Sequence, residues 1–510
     1  GVVQDELETS FGLRWYRFDP NKGFFLNAQN LKLQGTNRHQ DFPGLAYAVP
    51  NFIHRLDIQN MKDMGVNFWR TSHYPHDPET LDMCDRLGIL VLEEIPVMKE
   101  IGHPENYTRN AQQMACEMIR AHRNHPSIVL WGIAGEIDAP EEISSRVTKA
   151  ILETFRQEDP TRLTTMHCPR SESIETFVDV IGTDLKRSDD DHQRHPQSCY
   201  MVSEFSVSFS GRGLHDGEPY NEEDSNIAHE NHLRGINERR WLAGCAIWNQ
   251  FDWIGETYDM VFPHVTAFGM CDVWRIPKDV YFFYKSQWNP EPMVHICGHW
   301  TWPGKENRIR TVKVYSNADR VEMLLNGVSL GVMEMPCEPH LAHPPFIWQV
   351  PYTSGVLTAK ALFHNGTELV DQRKTAGRPY AVRLTASPEE LVAGDLDSHV
   401  LITAEIVDRE GTVVPDAYLP VSFSNYGCGK LLPQTWLEYG TGCTWRAVAG
   451  VTRILLRATE FGGRAVITAS SAGLVMGRLV VNAVDSRGWR NPFKFWRDPQ
   501  TEVEEPSPFI

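Results

Sequence analysis

The sequence predicts a multidomain chain: a (β/α)8 TIM barrel followed by two immunoglobulin-like β-sandwich domains. Three observations carry that prediction. Eight short, nearly all-apolar runs alternate with helical segments over roughly 260 residues, the usual size of such a barrel. After residue 302 the texture changes to short runs of alternating apolar and polar residues between turns, as half-buried strands require. At 510 residues the chain is too long for one ordinary core.

The elements follow in order. Residues 31–36 (LKLQGT) read as the first strand, and 53–64 as a helix with Ile53, Leu56, Ile58, Met61 and Met64 near one face, stopped by Gly65. Strand 66–71 (VNFWRT) precedes a helix over 77–87, opened by Asp77-Pro78 and closed by Gly88. Strand 89–94 (ILVLEE), helix 109–123, strand 127–134 (SIVLWGIA) and helix 141–155 come next. Three further strands lie at 162–166, 178–182 and 200–204, with 186–198 read as a loop. A long polar helix covers 223–241, strand eight is 244–249 (GCAIWN), and 278–288 closes the barrel. The histidines in and before the polar helix (His215, His229, His232) read as a solvated face. An open doubly wound sheet would need a Gly-rich phosphate loop after its first strand, and GTNRHQD at 35–41 is not one.

Beyond the barrel, strands are expected at 312–315, 320–325, 347–350, 356–363 and 367–372, with Asn326-Gly327 as a hairpin turn. A second run opens at 380–386, continues through 399–409, 421–424, 451–458 and 465–470, and ends near 481. The expected domains are therefore 1–28, the end of a preceding β element or linker; 29–302, the barrel; 303–376 and 377–484, the two sandwiches; and 485–510, a polar tail.

Charge and composition exclude several functions. Lys plus Arg is 49 against 66 Asp plus Glu, a formal net charge of −17. A nucleic-acid binder needs a basic face, and an anionic membrane would repel this one. No apolar run reaches the ~18 residues that a membrane helix needs. Cys84, Cys116, Cys168, Cys199, Cys245 and Cys271 stand singly, and no C-x-x-C occurs, so buried thiols are expected and no metal centre.

In a barrel of this kind the chemistry sits just past the strand ends. Those positions hold Asn37, Arg38, His39 and Asp41; Arg70, Ser72, His73 and Tyr74; Glu93 and Glu94; Glu136; Asp184; Glu204; and Trp248, followed by Asp252 and Trp253. Carboxylates with aromatic plates make a sugar site, because aromatic faces stack on pyranose C–H groups and carboxylates take hydroxyls or cleave the acetal. Cleavage needs two carboxyl groups flanking one bond. Strands four and seven lie on opposite sides of the barrel, so Glu136 (acid/base) and Glu204 (nucleophile) can face each other at the roughly 5 Å that retention requires. Glu93 and Glu94 read as supporting residues, Asp252 and Trp253 as packing at the barrel top, and His39 and His73 as hydrogen-bonding groups rather than metal ligands.

The runs GTNRHQD (35–41), RTSHYP (70–75), CDRLGILVLEE (84–94), RNHPSIVLWGIAGE (123–136) and MVSEF (201–205) resemble glycoside hydrolase family 2. Residues 273–288 resemble the closing helix of its β-galactosidase branch, and 314–331 the immunoglobulin-like module after the barrel. The resemblance implies a retaining exo-acting β-glycosidase, most simply a β-galactosidase acting on terminal β-linked sugars, including modified galactans. β-Mannosidase and β-glucuronidase activity, or a catalytically impaired carbohydrate-binding protein, are the alternatives. It implies Glu136 as acid/base, Glu204 as nucleophile, and His39, Asp41, His73, Trp248 and Trp274 around the first sugar. It implies no cofactor, leaves a structural cation and the oligomeric state open, and favours a periplasmic or secreted compartment. Relatives carry two β domains before the barrel, so the chain is expected to be the C-terminal portion of a longer protein.

Two positions depart from the family pattern. The Asn expected before the acid/base Glu, which binds the substrate 2-hydroxyl, is Gly135. The strand-six Tyr is missing from GTDL at 182–185. The Asn-x-Lys pair of glucuronate-selective relatives has no counterpart in FGMCDVWRIPK (268–278), which ranks glucuronidase low.

Overall fold

The computed structural model describes residues 5, 11–169, 177–206, 208–255, 264–432 and 443–485. Residues 1–376 and 377–510 form two compact units.

In the first unit a meander of β1 (Tyr16–Asp19), β2 (Gly23–Leu26) and β3 (Gln29–Leu31) leads into the barrel. The barrel strands are β4 (Leu33–Asn37), β5 (Phe68–Arg70), β6 (Leu90–Glu94), β8 (Ile128–Asp138), β9 (Leu163–His167), β10 (Val180–Thr183), β11 (Cys199–Ser206) and β12 (Leu242–Trp248). All pair in parallel, and the β12–β4 and β6–β8 pairings complete the ring. A short extra strand, β7 (Met98–Glu100), runs parallel to the end of β8.

The strands are apolar on both faces because helices cover the outside while side chains fill the inside. Phe24 of β2 packs with Leu33, Phe68, Leu90, Leu130, Val180, Met201 and Ala243 in one buried cluster. From Tyr16 onward this segment is a β meander that plugs the end of the barrel where the strands begin.

The helices follow their local signals. In α1 (Asn51–Met64), Gly65 caps the C-terminus at φ 97° and its amide donates to the carbonyls of Lys62 and Met61. In α2 (Pro78–Leu87), the Asp77 carboxylate accepts from the Glu79 amide, with Pro78 at the first position. α3 (Pro104–His122) and α4 (Glu141–Glu158) follow. The expected loop at 186–198 instead contains α5 (Ser188–Arg194). Its signal is electrostatic: Asp189, Asp190 and Asp191 occupy the first turn, where the helix dipole favours anions.

The histidine expectation also needs correcting. On α6 (Glu222–Glu238), His229 is buried with Nδ1 2.9 Å from the Tyr284 hydroxyl, and His232 stacks on Phe205. His215 lies before the helix, buried, with Nδ1 3.1 Å from Glu223. His215 and His229 are buried and His232 half-buried, each with a polar or aromatic partner, which apolar periodicity does not report. β13 (Trp253–Ile254) pairs antiparallel with β14 (Val265–Thr266), and α7 (Asp279–Trp288) closes the barrel.

The first sandwich stacks β15-β16-β19 (Val294–Ile296, Ile309–Ser316, Phe346–Pro351) on β18-β17-β20-β21 (Val328–Glu334, Arg320–Leu325, Val356–Leu362, Glu368–Lys374). Its pairings are antiparallel, and its first strand starts ahead of the expected boundary at 303. Asn326 and Gly327 both have positive φ, as the tight β17–β18 hairpin requires. The module is tied to the barrel where the Lys313 ammonium and the Tyr315 hydroxyl donate to Glu230 of α6, at 2.6 and 2.7 Å.

The second unit is another two-sheet β structure. One sheet is β22-β24-β28-β26 (Ala381–Ser387, His399–Val407, Val451–Arg457, Lys430–Leu432). The other is β23-β30-β29-β25-β27 (Glu390–Ala393, Gly477–Asp485, Gly463–Ser470, Pro420–Gly427, Thr444–Arg446). The expected tail, past its first residue, lies outside the described residues.

Candidate active site

Glu204 stands on β11 and Glu136 near the end of β8, barrel strands seven and four. Both carboxyls reach the surface in part, with side chains 18% and 27% exposed. Burial raises the Glu204 pKa, Arg70 and His73 pull it down, and the charge of Glu136 adds to the rise.

Arg70, at the end of β5, organises the floor. Its Nε and Nη2 donate to the two carboxylate oxygens of Glu94, each at 2.9 Å, in a bidentate fork. Its Nη1 donates to Glu204 Oε2 at 2.9 Å and to Asn37 Oδ1 at 3.2 Å. The guanidinium is buried, so only a planar, permanently charged group with several fixed donors satisfies these acceptors together. Burial raises the Glu94 pKa, but the charges and hydrogen bonds of Arg70 and His73 together outweigh it and hold the carboxyl below its ordinary value. Glu93 points elsewhere, with both oxygens on His122 Nδ1 at 2.8 and 3.0 Å.

His167, at the end of β9, supplies a second contact to Glu204. Its Nε2 lies 3.5 Å from Glu204 Oε2, and its Nδ1 is 2.8 Å from the Ser203 hydroxyl. Burial and the nearby cations Arg70 and Lys99 hold its pKa well below the ordinary value, so the ring is neutral. If Ser203 donates to Nδ1, the remaining N–H faces the carboxylate. The expected strand five stopped one residue short of this histidine.

Aromatic side chains form one wall. Trp248 stacks on His73, with ring centroids 5.0 Å apart, and meets His39 edge-on at 5.2 Å. Trp253 lies 5.0 Å from His39. His73 Nδ1 is 3.0 Å from Glu94, and His39 Nδ1 is 3.1 Å from the Tyr74 hydroxyl. Asp41 accepts the Ile254 amide at 2.8 Å through Oδ2. Burial pushes the Asp41 pKa up to about 6 and the His39 pKa down to about 3. His39 Nε2, Asp41 Oδ1 and Trp253 Nε1 are buried without a hydrogen-bond partner. Buried polar atoms are normally paired, so three such atoms on residues that lie together stand out.

Other expected residues sit farther back. Trp274 packs edge-on against Phe42, the neighbour of Asp41, with ring centroids 5.5 Å apart. Asp252 accepts from Lys278 Nζ at 2.8 Å and from the Gly269 amide at 2.7 Å, a packing role at the barrel top. Asp184 accepts the Arg187 amide at 2.9 Å, which starts the turn into α5.

The first departure from the family pattern, Gly135, has a structural counterpart. Met98 of β7 pairs with Gly135, and a Cβ added at position 135 would run into Met98 Sδ. The next residue, Lys99, forms an ion pair with Glu136 through Nζ and Oε2. Neither residue stood out in the sequence, because a three-residue strand of mixed polarity carries no periodic signal.

The architecture is a (β/α)8 barrel with two partly exposed carboxyls near its strand ends. Residues 20–210 match the family described as glycosyl hydrolases family 2, TIM barrel domain, which supports assigning the barrel to that family. Residues 307–370 match a domain of unknown function (DUF4982). The chain is 28% identical to a β-galactosidase of Bacteroides ovatus over 94% of its own length and 64% of the relative's. It is 30% identical to a β-glucuronidase of Bacteroides fragilis over 65% of its length and 52% of the relative's. A crystal structure of a β-glycosidase from Bacteroides vulgatus superposes with a TM-score of 0.80 at 27% identity, covering 93% of this chain and 67% of that one. The chain spans 64%, 61% and 46% of three such curated relatives.

Proposed function

We propose that the chain carries the catalytic barrel of a retaining β-glycosidase that removes terminal sugars by double displacement. Glu136 protonates the glycosidic oxygen while Glu204 attacks the anomeric carbon. The sugar–oxygen bond breaks and a glycosyl–Glu204 ester forms. Glu136, now ionised, takes a proton from water, which displaces Glu204 and regenerates both groups. The observation that carries this reading is Glu204 itself, partly exposed at the end of barrel strand seven and held by Arg70 and His167. His39, Asp41 and Trp253 offer unpaired polar atoms to sugar hydroxyls, and Trp248 offers a stacking face.

β-Galactosides are the first candidate substrate, on the likeness of residues 273–288 to the β-galactosidase branch and on the Bacteroides ovatus relative. β-Glucuronides are the second, because the Bacteroides fragilis relative is as similar over the part it covers. A panel of chromogenic aryl β-glycosides separates them, and NMR of the first-formed product reads its anomer. The β anomer supports double displacement. The α anomer contradicts it, and sugar binding without turnover of any glycoside points to an impaired binding protein.

A further inference from the structure

We infer that Lys99 is a specificity-determining residue that receives an anionic group, a carboxylate or sulfate ester, on the leaving-group side of the substrate. The inference rests on the glycosidase reading. β7 lies parallel to the end of β8, with Met98 opposite Gly135 and Glu100 opposite Asp138. The Val97 carbonyl accepts the Gly135 amide at 2.8 Å, which fixes this register. The strand therefore belongs to the wall beside Glu136.

Two chemical features follow. Met98 Sδ occupies the space that a side chain at 135 would need, so a weakly accepting thioether stands where an amide could have bound a hydroxyl. Lys99 extends one residue farther, pairs with Glu136 Oε2, and keeps 58% of its side chain exposed. An ammonium at this point can reach both the acid/base carboxyl and incoming substrate.

The ion pair conflicts with the acid step. Lys99 and Glu136 attract as ammonium and carboxylate, but proton donation requires Glu136 as a carboxylic acid. When Glu136 takes up its proton from solvent, Lys99 loses its anionic partner there. A neutral hydroxyl replaces a charge with a dipole, whereas an anionic group on the substrate restores the pair. Glu136 must touch the glycosidic oxygen, which departs with the leaving group, and the anion at Lys99 is assigned to that leaving group. Binding of such a substrate draws Lys99 away from Glu136 and leaves that carboxyl to accept its proton.

The test compares 4-methylumbelliferyl and 3-carboxyumbelliferyl glycosides of the sugar that the full-length protein cleaves fastest, in wild type, Lys99→Gln and Lys99→Arg. The expected kcat/KM ratio favours the carboxylated leaving group in wild type by on the order of tenfold. It falls towards one in Lys99→Gln, is retained in Lys99→Arg, and declines with added salt. Because the ratio is taken within each variant, a general loss of folded protein cancels. A sulfonated umbelliferyl leaving group identifies the anion: preference for the carboxylate alone assigns a uronic-acid-type group, and preference for both assigns any anionic oxygen group. Cleavage with a wild-type ratio near one, or with a ratio unchanged in Lys99→Gln, overturns this inference alone. Failure to cleave any glycoside overturns the glycosidase reading and this inference together.

Discussion

Arg70 Nη1 lies 2.9 Å from Glu204 Oε2 while the rest of the same guanidinium grips both oxygens of Glu94. The proposed nucleophile is thereby oriented by a charge that is itself fixed from behind. Arg70→Lys keeps the charge but loses the fork. It should lower kcat by roughly a hundredfold, comparable to removing one preorganised donor, with a much smaller change in KM. Steady-state kinetics on the best aryl glycoside check this, and an unchanged kcat would remove Arg70 from the account.

His167 offers a second handle on the same carboxylate. His167→Phe should reduce kcat by about ten- to a hundredfold through loss of the N–H facing Glu204. Ser203→Ala, which removes only the partner of Nδ1, should have a smaller effect in the same direction. Equal effects on kcat and on stability would indicate a purely structural histidine.

The pH dependence follows from Glu204. It must be ionised to attack, and burial raises its pKa above the ordinary 4.5. The acid limb of kcat/KM should therefore lie above the usual carboxylate range, with activity lost as pH falls through it. A rate that stays level down to pH 4 would contradict this.

Gly135 and Met98 are coupled sterically. Gly135→Asn alone should lower the thermal midpoint, at a cost of about 1–3 kcal/mol for overpacking, because its Cβ enters the space of Met98 Sδ. Adding Met98→Ala should recover most of that loss. Additive losses in the double variant would show that the two side chains do not compete.

His215 links stability to pH. Burial alone would lower its pKa, but its hydrogen bond to Glu223 and the charges of Glu222 and Asp279 raise it to about 9. A folded value above the unfolded 6.5 means stabilisation is complete below about pH 6.5 and is lost as pH rises through 9. His215→Gln should thus destabilise by up to about 3 kcal/mol near pH 6 and very little near pH 10. Thermal melts at the two pH values measure the difference.

Most of the barrel was legible because its strands are short apolar runs between clear helix stops. Gly65 and Gly88 end helices by adopting the left-handed conformation, and Asp77 opens one with its carboxylate. The misses share another cause. α5 rests on acidic residues at its first turn, and the inward histidines rest on individual partners such as Tyr284 and Phe205, which periodicity does not encode. At the site, Glu136 and Glu204 could be picked out because barrel strand ends carry chemistry. Arg70, His167, Met98 and Lys99 gain their meaning only from what the fold sets beside them.

The central claim is that Glu204 forms a covalent bond with the sugar. A 2-deoxy-2-fluoro aryl glycoside of the preferred sugar slows breakdown of that ester enough for peptide mass spectrometry to locate it. The account predicts one sugar per chain, attached to the peptide containing Glu204, and no label in Glu204→Gln. Label on a different carboxylate, or turnover that survives Glu204→Gln, would contradict it.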